Sequence, residues 1–98
     1  MLQHVVLFKW NDDVDDDHIA STAAALDSLP TVIDTIRSYH HGRDVGINTN
    51  EFQYGIVAEF DDDEGYLTYR DHPAHQALIA GFITGRLAAR AAVQFAHR

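Results

Sequence analysis

The chain has 98 residues, no cysteine and a formal net charge of −8, with seven Lys and Arg against fifteen Asp and Glu. That length makes one small domain, 1–98, near the lower end of what a core sustains without staples, and the missing cysteines exclude disulfides, thiolate nucleophiles and Cys-ligated zinc. Scattered basic residues under an acid excess argue against nucleic acid and anionic membrane as partners. No apolar run approaches a membrane span, and Met1-Leu2-Gln3-His4 leads straight into a strand rather than a signal peptide, so the expected location is the cytoplasm.

Gln3 to Trp10 reads as the first strand, with His4, Val6, Phe8 and Trp10 on one face and Val5, Leu7 and Lys9 on the other. Both faces are largely apolar, which predicts a layer on each. Asp15, Asp16 and Asp17 open a helix, where carboxylates meet the positive end of the dipole. That helix is expected to run to about Ser28, bury Ile19, Thr22, Ala23 and Leu26, and end at Pro30.

Val32 to Val45 reads as a second strand, with Gly42 and Gly46 marking its end and Asn48-Thr49-Asn50 the turn. Phe52 to Phe60 is the clearest strand. Asp61 followed by Glu64 resembles a capping box opening the next helix. A helix is then expected over Ala74 to about Leu87, and a short, weak fourth strand over Ala91 to His97. The order is β-α-β-β-α-β. It specifies an α+β ferredoxin-like plait: a four-stranded antiparallel sheet with helices on one face. The other face needs cover, and in so short a chain a second copy supplies it most simply, as a homodimer pairing sheet faces.

The stretch Tyr66 to His75 concentrates the chemistry, with two tyrosines, two histidines, an arginine and an aspartate in ten residues. Pro73 forces His72 out of helical geometry, so one helix stops near Asp71 and another starts with Pro73 in its first turn and His72 or Asp71 as cap. His75 then lies where unpaired backbone N–H groups disfavour imidazolium, and a neutral histidine is what a general base requires. Tyr69, one turn before the break, is its candidate partner. The structural reading of the same residues is a capped corner with packed tyrosines.

The opening His4-Val5-Val6-Leu7-Phe8-Lys9, the segment Tyr39 to Asp44, the strand Tyr54 to Phe60 and the corner Tyr69-Arg70-Asp71-His72-Pro73-Ala74-His75 together resemble the stress-responsive A/B barrel (Dabb) family over essentially the whole chain. The resemblance implies a ferredoxin-like homodimer forming an α/β barrel. It also implies the machinery of the family's plant polyketide cyclases, which close an aldol ring without metal or redox cofactor: His75 as base, Tyr69 as donor or orienter, and His4 as a further donor. The implied pocket wall is Val6, Phe8, Leu26, Tyr54, Ile56, Ala58, Tyr66, His72 and Phe82, around an apolar or aromatic carbonyl compound. Ala23, Ala24, Ala25 and Leu26 stand where those cyclases carry large aromatics, so their own substrate is not implied.

Histidines at 4, 40, 41, 72 and 75 invite a metal reading, but a proline separates the last two and no carboxylate stands as an obvious third ligand, so no metal site is expected. His40 and His41 point to opposite sheet faces, with His41 a satisfied sheet histidine. The alternatives to a cyclase- or lyase-like enzyme are a non-catalytic stress-responsive dimer and a relative of the cofactor-free or haem-degrading monooxygenases.

Overall fold

The computed structural model describes residues 1–97. Strand β1 (Leu2–Trp10) is followed by helix α1 (Asp16–Val32), strands β2 (Ile36–Arg43) and β3 (Tyr54–Phe60), helices α2 (Asp63–Asp71) and α3 (Pro73–Leu78), a π-helical turn (Ile79–Ile83) and strand β4 (Leu87–Ala96). The sheet order is β2-β3-β1-β4, all neighbours antiparallel. This is the βαββαβ plait, with the second helical crossover, between β3 and β4, split in place of one continuous helix.

Alternation along β1 and β3 fixes which side is core. Leu2, His4, Val6, Phe8 and Trp10, with Tyr54, Ile56, Ala58 and Phe60, are buried toward the helices. On α1, Ile19, Thr22, Leu26 and Leu29 are buried, while Ala23 is half-buried. Asp15 caps α1 by accepting from the His18 N–H at 2.8 Å.

Several boundaries differ from expectation. Helix α1 runs through Pro30 to Val32. An internal proline costs about 3 kcal/mol, but Leu29 and Ile33, which flank it, are each 1% exposed, and burying each contributes about 1.5–3 kcal/mol. Packing therefore outweighs the break. Strand β2 is shorter than 32–45: Asp34 and Thr35 form a turn, and Val45 and Ile47 are exposed. Phe52 precedes β3 in an Asx turn, its N–H donating to Asn50 Oδ1 at 3.1 Å. Asp62, not Asp61, caps α2 by accepting from the Gly65 N–H at 2.9 Å, so no capping box forms with Glu64. The helix over 74–87 breaks up instead at the π turn and at Gly85, which takes φ 78°. Strand β4 is the longest in the sheet, paired with β1 throughout; its alanines carry little β propensity, and the β1 edge decides.

No described helix is long and apolar enough to cross a membrane.

Candidate functional site

The helix break at Pro73 creates the site. In an unbroken helix the Arg70 carbonyl would accept from the Ala74 N–H; here that N–H donates to His72 Nδ1 at 3.0 Å, so His72 is the cap of α3. The orphaned Arg70 carbonyl instead receives His75 Nδ1 at 3.0 Å and Gln76 Nε2 at 2.6 Å. A carbonyl only accepts, so the hydrogen bond puts the His75 proton on Nδ1 and leaves Nε2 as a lone-pair base. The His75 ring lies 4.2 Å, centroid to centroid, from that of Tyr69.

His4 has the opposite tautomer. Gln94 Nε2 on β4 donates to its Nδ1 at 2.7 Å, so the neutral ring carries its proton on Nε2. Burial, then the positive charge of Arg90, then His75, push the His4 pKa down to about 4. The His75 pKa is also lowered, first by burial and next by Arg90, against the pull of the Arg70 carbonyl. Neutral His75 was expected from the helix start; desolvation and a nearby cation are the operative causes. One histidine thus offers a donor and the other an acceptor.

Both line a cavity of about 310 Å³ between sheet and helices. Strand β1 contributes His4, Val6 and Phe8, β3 Ile56, β4 Arg90, and α1 Leu26. Helix α2 gives Tyr66, Tyr69 and Arg70, α3 His75, Gln76 and Leu78, and the π turn Ile79 and Ile83. Both isoleucines belong to the π turn, a feature frequent at functional sites. Tyr69 is 3% exposed, and its hydroxyl shares a 2.9 Å hydrogen bond with that of Tyr39. Burial, foremost, raises both phenol pKa values, so both stay protonated. A larger hollow of about 570 Å³, beside Met1 and Asp61 to Glu64, is shallow and acidic, and brings no donor and base together.

A protein-family model for the stress responsive A/B barrel domain (Dabb) matches residues 2–96. The chain belongs to this family. It is 30% identical over 82 residues to an uncharacterized protein of Streptomyces coelicolor, covering 82% of this chain and 84% of the relative. A dimeric ferredoxin-like protein of unknown function from Thermobifida fusca, solved as a crystal structure, superposes with a TM-score of 0.90 at 38% identity, covering 98% of this chain and 90% of that one. The hydroxynitrile lyase of Passiflora edulis, at a TM-score of 0.84, 13% identity and coverage of 96% and 90%, is similar in fold alone.

Of the residues expected to form the site in this Dabb chain, His75, Tyr69, His4, Val6, Phe8, Leu26, Ile56 and Tyr66 line the one cavity. Four lie outside its lining. Tyr54 points the other way along the sheet, its hydroxyl 2.7 Å from His41 Nδ1, while His41 Nε2 lies 2.6 Å from Asp27 Oδ1. Ala58 is fully buried beneath the wall, between His4 on β1 and Tyr39 on β2. His72 is spent on the α3 cap. Phe82 packs on His18, ring centroids 5.9 Å apart. His41 is satisfied, as its place on β2 implied. Among the described residues no three His, Asp or Glu side chains are grouped to hold a metal ion.

Sequence reasoning missed Arg70, Gln76, Leu78, Ile79, Ile83 and Arg90. For Arg90 a signal existed: it is the lone charge in Ala88-Ala89-Arg90-Ala91-Ala92-Val93.

Proposed function

We propose that this Dabb protein is a homodimer, paired through its sheet faces, that binds a small apolar or aromatic carbonyl compound and moves a proton on it, in a cyclase- or lyase-like reaction without a cofactor. The observation that carries the reading is the complementary pair of neutral histidines on one apolar cavity. His75 Nε2, with its partner nitrogen held by the Arg70 carbonyl, is the base that removes a proton α to the carbonyl. His4 Nε2–H is the donor to the enolate oxygen that develops. Either hydroxyl of the Tyr39–Tyr69 pair can donate to the other; with Tyr39 as the donor, the Tyr69 proton is left for the ligand as well.

One observation favours a second reading, a ligand-binding dimer without chemistry. His75 and Tyr69 meet ring to ring, with no hydrogen bond joining them, so no direct proton path links the pair.

Exchange of α-protons for deuterium in phenylacetone, followed by NMR, separates the two. The first reading expects catalysed exchange that falls by about a hundredfold or more in His75→Ala, the ordinary contribution of a general base. Exchange at equal rates in both proteins would overturn it, and ligand-induced thermal stabilisation without exchange would establish the second.

A further inference from the structure

Arg90 sits opposite Phe8 in the β1–β4 register, on the helix side of the sheet, and lines the same cavity as His4 and His75. None of the fifteen Asp and Glu side chains pairs with it, and among the described residues it makes no side-chain hydrogen bond. Arg70, the other arginine of the wall, is closed by Asp71, with Nε–Oδ1 at 2.9 Å and Nη2–Oδ2 at 3.1 Å. An acidic protein has thus left one guanidinium uncompensated on a mostly apolar cavity. From Arg90 to Ala96 β4 is exposed on both faces, so this cation stands at the mouth.

We propose that the cavity takes a carbonyl compound bearing a carboxylate, with Arg90 as the specificity-determining residue that binds the carboxylate at the mouth. This rests on the proposed role of His4 and His75. A planar guanidinium matches a carboxylate in bidentate fashion, while Val6, Phe8, Leu26 and Ile56 receive the apolar body beyond it and the carbonyl reaches the histidines. The placement also couples binding to basicity. Arg90 lowers the proton affinity of His75 and His4 while the cavity is free. A carboxylate on Arg90 offsets that charge, so His75 becomes a stronger base once the correct ligand is seated.

The test compares 4-oxo-4-phenylbutyrate with 4-oxo-4-phenylbutanamide, its uncharged amide, by calorimetry at low salt. The acid is expected to bind the unaltered protein about tenfold more tightly, as a charge-assisted hydrogen bond at a partly exposed site gives. The preference is expected to vanish in Arg90→Gln and to persist in Arg70→Gln. The acid, and not the amide, is expected to raise the pH at which the His75 ring titrates by NMR. Equal affinity for acid and amide, both lost in His75→Ala, would overturn the role of Arg90 and leave the histidine site standing; a preference that survives Arg90→Gln does the same. Neither compound binding would overturn both. The acid-against-amide comparison needs no variant to fold.

Discussion

His4 is the residue at which site and stability meet. It is 4% exposed, on the central strand β1, and its pKa falls from 6.5 to about 4. The unfolded chain therefore binds more protons than the folded one between those values. Stability from this group is fully present above about pH 6.5 and is lost as pH falls toward 4. At about 1.4 kcal/mol per unit, the loss is about 3 kcal/mol. Urea unfolding from pH 7 to pH 4 is expected to show that decline in the unaltered protein and to lose most of it in His4→Gln; an unchanged pH slope would show that His4 is not held neutral. At this scale the sequence was informative where a residue type carries its own chemistry. His75, Tyr69 and His4 were legible because the proline fixes the corner and the strand alternation fixes the inward face. The tautomers were not, because they depend on Gln94 and the Arg70 carbonyl, partners set by the register of a strand and the end of a helix.

Among the elements, the corner between α2 and α3 is the most constrained. His72 uses its ring to cap α3, and the cap leaves the Arg70 carbonyl for His75. Replacing His72 by Ala is expected to cost about 1 kcal/mol of stability in chemical denaturation, the usual loss for a helix cap, and Asn at this place to recover most of it. If Asn does not recover it, the ring's packing and not its hydrogen bond is what matters there. Two of the elements misread from sequence share one cause. Pro30 within α1 and the alanine-rich β4 are places where tertiary contacts outweigh local preference: Leu29 and Ile33 hold the end of α1, and the edge of β1 holds β4. Where propensity and burial agreed, as in β1, the limits came out within a residue.

At the scale of the molecule, the face of the sheet away from the helices remains apolar. Leu7, Val57, Val93 and Phe95 are exposed large hydrophobics, with Val5 opposite both Val57 and Val93. They form a band that water alone covers poorly. The similar Thermobifida fusca protein is described as dimeric, and the proposed homodimer would pair two such bands. A lysine at Val57 would then bury a charge at the centre of the interface. Val57→Lys is expected to shift the protein to monomer in sedimentation velocity while its far-UV circular dichroism stays native; a dimer that persists unchanged would move the interface elsewhere.

Strand β1 has a further consequence. Its even-numbered residues His4, Val6 and Phe8 look into the cavity, while Val5 and Leu7 look out through the other side of the sheet. The two sets share a backbone and no side chain. Substitutions can therefore drift in one set without being screened by the other, so that, with the proposed ligand site and the proposed sheet-face dimer, ligand preference and subunit choice can diverge independently from a common ancestor. A gene library randomised only at the even positions would sample chemistries on a fixed assembly; one randomised at the odd positions would sample assemblies around a fixed chemistry.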